Sequence, residues 1–223
     1  MWNAHERHPV AGWQMIIKPG EQELDLLGVV SPHRSAGLHM SEIYNDYYQR
    51  VDPKRYKGGK FDMVRMAAGT VLEQVFEKAL AIGMTGERPG EFQTEEGIYY
   101  SPDIIAFEGK IVVLGEIKVT WMSAKEVPIS PSQAKRVGLP SNWDGVGRAT
   151  FPKQFNKYFT QMMCYCYHLG TTHARLYIYF VNGNWAPPCP VFLYWDLEFA
   201  PIELKEEWTM IRNHATKVMK VKL

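Results

Sequence analysis

The chain has 223 residues, of which 46% are hydrophobic, and its formal net charge is +1. This length suits one domain with a sizeable core, and the near-neutral charge excludes a basic field over the whole molecule. Any attraction to nucleic acid must therefore be local. The N-terminus reads MWNAHERHP without the apolar segment of a signal peptide, and nowhere do eighteen apolar residues follow one another. We therefore predict a cytoplasmic protein without membrane contact.

We predict a single domain, with Ser41 as the candidate N-cap of the first helix. Within residues 1–223, the predicted parts are an N-terminal arm and helix over 1–60, a core over 61–200 with an insert at 121–152, and a C-terminal helix over 201–223. The insert contains several Pro, Gly and Ser residues, and an insert of such length inside a compact domain is often functional.

Residues 62–82 carry apolar side chains at helical spacing, and Gly83 is a plausible end of this helix. Glu73 and Glu77 lie four residues apart on one face, where two like charges destabilise a helix by roughly 0.2–0.5 kcal/mol. Helix stability alone therefore does not account for Glu73. A nearby cation would account for it, and a solvated acidic face is the alternative.

The segment SPDIIAFEGKIVVLGEIKVT, residues 101–120, predicts two strands joined by a turn at 108–110. Side chains alternate along a strand, so Glu116 and Lys118 share one face, and the hairpin returns Asp103 towards it. The second strand is apolar on both faces, as in a buried central strand, so its charges need partners. Two carboxylates and an ammonium there suit a divalent metal and a phosphodiester. The alternative is a structural Glu116–Lys118 pair beside an unrelated aspartate.

Residues 152–169 predict a second long helix, and residues 174–181 and 191–197 predict two further strands. On this helix Lys157, Gln161, Tyr165 and His168 follow one another on a face separate from the apolar stripe. The plainer interpretation of that face is an ordinary solvent-exposed surface.

Four segments together resemble the PD-(D/E)xK nuclease superfamily, in the branch with the RecB nuclease domain, the Cas4 nucleases and the phage-type exonucleases. In chain order the segments are GTVLE at 69–73, SPD at 101–103, GEIK at 115–118 and QMMCY at 161–165. RecB-like proteins often carry His where Glu73 stands, whereas phage-type exonucleases often carry Glu. The resemblance implies an α/β fold with a restriction-endonuclease-like core, in which helices flank a central mixed β-sheet.

The resemblance also implies roles for the site residues. Asp103 and Glu116 would bind Mg²⁺ or Mn²⁺, together with the backbone carbonyl of Ile117, while Glu73 would reach the ion directly or through water. Lys118 would orient the attacking water or neutralise charge that develops on the phosphate. Such a metal needs few protein carboxylates because it keeps several waters.

The same resemblance assigns the second long helix to the substrate. Gln161 and Tyr165 would hold the scissile phosphate or its neighbour, and Lys157 would contact the DNA backbone. Arg148 and Lys153 belong to a basic cluster that precedes this helix and are further candidates for phosphate contacts.

The function we expect is a Mg²⁺-dependent DNA nuclease, as an exonuclease that resects DNA ends in phage-type recombination or repair. A structure-specific or restriction-type endonuclease is the alternative, and a catalytically dead DNA-binding module is a third. The expected substrate is DNA with a free end, and any helicase or recombination partner would be a separate chain. Cas4-type proteins bind an iron–sulfur cluster with four cysteines; the three here, Cys164, Cys166 and Cys189, predict reduced thiols and no such cluster.

Overall fold

The computed structural model describes residues 35–56, 63–83, 86–87, 89–122, 151–181 and 191–221. The helices are α1 (Met40–Val51), the one-turn α2 (Pro53–Tyr56), α3 (Met63–Gly83), α4 (Asn156–Leu169) and α5 (Pro201–Lys217). The strands are β1 (Gly86–Glu87), β2 (Phe92–Gln93), β3 (Tyr99–Tyr100), β4 (Ile104–Glu108), β5 (Ile111–Thr120), β6 (His173–Phe180) and β7 (Val191–Glu198). Most of the predicted insert, together with Arg148 and Cys189, lies outside the described residues.

One mixed sheet organises the molecule, with the strand order β1-β4-β5-β6-β7. β5 and β6 run parallel, and the other neighbouring pairs are antiparallel. The connection from β5 to β6 contains α4, as expected because parallel neighbours need a long crossover. The predicted fold class, an α/β core with a central mixed sheet flanked by helices, is confirmed.

The two layers of helices pack on opposite faces of this sheet. On one face α1, α4 and α5 surround buried residues such as Leu114, Leu176 and Trp195. On the other face Phe76 and Leu80 of α3 pack over a second cluster, which contains Ile104, Ala106, Val113, Ile117 and Tyr177. The sheet is thus buried on both sides, and each fully buried large side chain stabilises the fold by about 1.5–3 kcal/mol.

The predicted elements agree with the observed ones except at the starts of two helices: the first starts too late in the prediction, and α4 begins at Asn156 rather than at residue 152. The β4–β5 turn falls where it was predicted, and Gly109 adopts there the positive φ of 64° that a side chain would disfavour. The first helix begins at Met40 rather than after Ser41, and His39 occupies the N-cap without a side-chain hydrogen bond. The N-cap assignment of Ser41 is therefore wrong, because a β-bridge between His39 and Tyr99 places the helix start two residues earlier.

β5 is longer than β4, one of its two neighbours in the sheet, and this difference in length positions the site. The last β4–β5 pair joins Ile104 to Gly115, whereas β6 accompanies β5 as far as the pair Thr120–Phe180. A Cβ atom added at Gly115 would lie 3.0 Å from the Cβ atom of Ile104, so glycine permits the close approach at this last pair. Beyond it, residues 116–120 have no β4 residue beside them.

Candidate active site

Two carboxylates take the place of the missing strand along β5. The backbone N–H of Ile117 donates to Asp103 Oδ2 at 2.7 Å, and the N–H of Val119 donates to Glu73 Oε1 at 3.2 Å. Backbone N–H groups in a buried strand require acceptors. Here the side chain of Asp103, the residue just before β4, and that of Glu73 on α3 supply them. The amides of β5 thereby hold Asp103 and Glu73 at the strand edge, beside Glu116.

Glu116 is the most deeply buried charged side chain of this group, with an exposed fraction of 0%. Its Oε1 atom accepts hydrogen bonds from the ammonium of Lys118 and, at 2.5 Å, from Gln161 Nε2. Its Oε2 atom is buried and has no hydrogen-bond partner among the described residues. A buried carboxylate oxygen without a partner is costly, so it marks a place where a cation would stabilise the protein.

The electrostatics of the site show an excess of negative charge. Burial raises the pKa of Glu116 to about 8, and the nearby Asp103 carboxylate adds to that increase while Lys118 opposes it. Burial also raises the pKa of Glu73, with Asp103 again contributing. Although burial disfavours the charged form of Lys118, the surrounding carboxylates hold the pKa of its ammonium well above the usual range. Three carboxylates thus surround one closely placed ammonium.

The predicted polar face of α4 forms the opposite wall of the site. Gln161 and Tyr165 are buried rather than solvent-exposed, and Gln161 Nε2 lies 3.4 Å from the hydroxyl of Tyr165. The ring of Tyr165 also lies against that of Tyr100, at a centroid distance of 5.3 Å. The interpretation of this face as an ordinary solvent surface is therefore wrong for Gln161 and Tyr165.

One tyrosine ring lies close to both ammonium groups of the site. The Nζ atoms of Lys118 and Lys157 lie 5.6 Å and 5.7 Å from the centre of the Tyr158 ring. The ring face attracts both cations, although they repel each other. Burial lowers the pKa of Lys157, and the charge of Lys118 lowers it further. Tyr158 therefore helps to keep two positive charges beside the carboxylates.

These side chains line one cleft with a volume of about 730 Å³. The structure brings together seven of the residues predicted from the sequence: Glu73, Asp103, Glu116, Lys118, Lys157, Gln161 and Tyr165. Ile117 directs its side chain into the core on the opposite face and contributes through its backbone. Lys153 is exposed on the turn before α4 and does not line the cleft; its carbonyl accepts a hydrogen bond from the Tyr56 hydroxyl.

Several further residues line the cleft without having been assigned to the site from the sequence, among them Tyr44, Glu77 and Tyr158. Glu77 is only 7% exposed, and the four-residue spacing from Glu73 was the signal that both belong to one face. Tyr44 lies on α1, upstream of every motif, so no local pattern indicated it.

The oxygen atoms of the described residues suit a hard divalent cation that keeps several waters, rather than an ion enclosed entirely by protein side chains. In the described part of the chain, no group of three or more His, Cys, Asp and Glu side chains is placed to enclose a metal ion. Asp103 and Glu73 each use one oxygen to accept a hydrogen bond from a backbone amide. Mg²⁺ is bound by one or two carboxylates with several waters, and the buried Glu116 Oε2 is an oxygen of that kind.

Two further observations concern the cysteines and the length and apolar character of the helices. Cys164 and Cys166 are buried on α4, and burial raises the pKa of the Cys166 thiol, which disfavours a reactive thiolate. Within the described ranges, no helix combines the length and apolar character that crossing a membrane would require.

Comparison with known proteins gives a likeness in three dimensions alone. No family model matches the chain, and no curated protein matches it in sequence. The crystal structure of SSO0001 superposes with a TM-score of 0.50 at 11% identity, over 86% of this chain and 81% of that one. The likeness is one of fold.

Two exonuclease structures are also similar, with TM-scores of 0.43. The alkaline exonuclease from Laribacter hongkongensis is 18% identical, over 82% of this chain and 88% of its own. The phage-related exonuclease from Haemophilus somnus 129PT is 12% identical, over 81% of this chain and 82% of its own.

Proposed function

We propose that this chain is a divalent-metal-dependent DNA nuclease. The observation that carries the proposal is the buried Glu116 Oε2, which lacks a partner among the described residues, at the centre of a cleft where three carboxylates surround one ammonium. The resemblance of four sequence segments to PD-(D/E)xK nucleases supports the same chemistry, since all four contribute residues to this cleft.

Asp103 and Glu116 would hold Mg²⁺ or Mn²⁺, with the Ile117 carbonyl and Glu73 as further oxygen ligands. A bound ion of this kind supplies an acidified water and charge stabilisation for phosphodiester hydrolysis. The oxygen-only donor set suits these hard cations.

The chain's own cations act on the phosphate. Lys118, already in contact with Glu116, neutralises negative charge that develops on the phosphate oxygens. Gln161 and Tyr165 are fixed on the facing helix and orient the scissile phosphate by hydrogen bonds. Lys157 lies on the same wall, close to the Tyr158 ring, and contacts the neighbouring DNA backbone. Phosphate contacts carry little sequence information, so cutting without a fixed recognition sequence follows.

The proposed activity is exonucleolytic, because Glu73 matches the phage-type pattern rather than the RecB-like one. The substrate is then DNA with a free end, processed during recombination or repair. A helicase or recombination protein that acts with it would be a separate chain.

Parallel digestion of labelled linear duplex and covalently closed circular duplex tests both parts of the proposal. We expect progressive loss of the linear DNA in Mg²⁺, none in a chelator, and survival of the closed circle. Discrete fragments from the closed circle would instead make the enzyme an endonuclease. If neither DNA is cut in Mg²⁺ or Mn²⁺, the proposed function is wrong.

A further inference from the structure

The hydroxyl of Tyr44 contacts the site through Gln161. Tyr44 is 5% exposed on α1, and its hydroxyl donates to Gln161 Oε1 at 3.1 Å, across 117 residues of sequence. The other end of the same amide donates from Nε2 to Glu116 Oε1 at 2.5 Å. A hydrogen-bonded relay therefore runs from the first helix to the buried carboxylate.

The side-chain amide of Gln161 has two ends of nearly equal shape, so packing alone does not choose between its two orientations. With a cation bound, Glu116 is ionised and can only accept hydrogen bonds, so it requires the NH₂ end to face it. The carbonyl end then needs a buried donor on its other side, which the hydroxyl of Tyr44 supplies. With the amide reversed, a carbonyl oxygen would lie against a carboxylate oxygen.

We propose that Tyr44 is a positioning residue of the active site, whose hydroxyl fixes the Gln161 amide so that its NH₂ group faces Glu116. The inference rests on the proposed nuclease function, to which Gln161 and Glu116 belong. Because Gln161 and Lys118 both bond to Oε1, the correct amide orientation leaves Glu116 Oε2 without a hydrogen-bond partner among the described residues, as an oxygen that could bind a cation.

Tyr48 supplies a matched control one helical turn further along α1. Its hydroxyl lies 2.8 Å from Thr160 Oγ1, and Thr160 in turn donates to Glu207 of α5. Tyr48 does not line the cleft. Tyr44→Phe and Tyr48→Phe therefore each remove one buried hydroxyl between the same two helices, but only the first interrupts the relay to Glu116.

The first experiment compares steady-state kinetics of the full-length variants on linear duplex DNA at saturating Mg²⁺. We expect Tyr44→Phe to lower kcat about tenfold, with KM changed less than twofold. A loss of this size is typical when a residue that orients a metal ligand by hydrogen bonds is removed. Tyr48→Phe should keep kcat within about twofold of wild type, while it lowers the melting temperature about as much as Tyr44→Phe does. In a Gln161→Ala background, Tyr44→Phe should have no further effect. Equal kcat for the two tyrosine variants, or additive losses with Gln161→Ala, would overturn the proposal.

The second experiment does not require activity. The side-chain NH₂ resonances of Gln161, assigned by their disappearance in Gln161→Glu, should shift in Tyr44→Phe and stay unchanged in Tyr48→Phe. Unchanged resonances in Tyr44→Phe overturn the inference, as does a shift that is accompanied by wild-type kcat. A wild-type protein that cuts no DNA refutes the nuclease proposal, while the resonances still report whether Tyr44 holds the amide.

Discussion

The two halves of β5 belong to one strand but are built differently. Residues 111–115 pair with β4, so backbone groups satisfy backbone groups and the side chains Val113 and Leu114 enter the core. Residues 116–120 continue without β4, and the carboxylates of Asp103 and Glu73 accept the N–H bonds of Ile117 and Val119. Where the neighbouring strand ends, charged acceptors replace neutral carbonyls. The local loss of a strand thus concentrates negative charge.

The two halves of β5 should also differ in what they contribute, the first to the stability of the fold and the second to the chemistry of the site. The paired half depends on apolar burial, which any well-fitting aliphatic residue can provide. The other half buries Glu116 beside Lys118, an arrangement that hydrophobic residues would replace with little loss of stability. Replacing both members of this pair together should therefore affect chemistry far more than folding.

The largest effect should come from removing one charge at the strand edge. Asp103→Asn keeps an oxygen that can accept the Ile117 N–H but removes the negative charge, and we expect the cleavage rate to fall about a thousandfold. The melting temperature should change little. Initial rates in Mg²⁺, together with a thermal melt, measure both quantities.

Glu108→Gln is the control in the paired half, at the opposite end of β4. Glu108 bonds to Arg175 at 2.9 Å and does not line the cleft, so cleavage should remain within about twofold of wild type. Wild-type cleavage by Asp103→Asn would show that the strand edge is structural alone.

Lys118→Ala should lower kcat about a hundredfold and leave metal binding intact. A charged ammonium has no lone pair for a metal, so its contribution belongs to the transition state. Calorimetric titration with Mn²⁺ should give an affinity no weaker than wild type, because removing the ammonium removes repulsion of the ion. A variant that binds DNA poorly yet turns over normally at saturation would make Lys118 a simple phosphate anchor.

Glu73→Gln should reduce cleavage about tenfold, and Glu77→Gln should reduce it less. Both side chains line the cleft from α3, but Glu73 bonds to the β5 edge at Val119 and carries the motif position. The pair of variants therefore tests whether contact with the unpaired half of β5 matters. Similar losses in both variants would mean that the whole helix face acts on the metal.

The smallest effect should be a pH dependence of stability in the metal-free protein. Burial raises the pKa of Glu116 from 4.5 to about 8, so the folded state holds a proton that the unfolded state releases. The stabilisation is complete below pH 4.5 and is lost as pH rises through about 8. Between pH 5 and pH 8 we expect the melting temperature to fall by at least about 2 °C.

Two changes, one to the buffer and one to the protein, should remove this decline in melting temperature. Mn²⁺ favours the ionised carboxylate, and Glu116→Gln cannot titrate, so either should flatten the profile. A profile for the metal-free wild type that matches Glu116→Gln at every pH would place the titration elsewhere.

The hairpin and the alternation of side chains along β5 were predictable because both are local patterns. The length of β4 was not, since the register that begins at Ile104 depends on how the sheet pairs as a whole. It therefore could not be foreseen that Asp103 and Glu73 would bond to β5 amides. Likewise, the burial of Gln161 and the contact with Tyr44 depend on how α1 packs against α4, which no spacing in the sequence indicates.

The hydrogen bond between Tyr44 and Gln161 has a consequence for biosynthesis. Contacts that join distant parts of a chain form only after the entropy of closing a long loop is overcome, and this one spans 117 residues. A nascent chain that has emerged only as far as β5 holds Glu116 and Lys118 but lacks α4, the wall that completes the cleft. On a ribosome that adds roughly 5–20 residues per second, the site cannot be assembled until α4 has been synthesised. The order of elements along the sequence thus delays the proposed DNA-cutting activity until α4 can pack against the strands made before it.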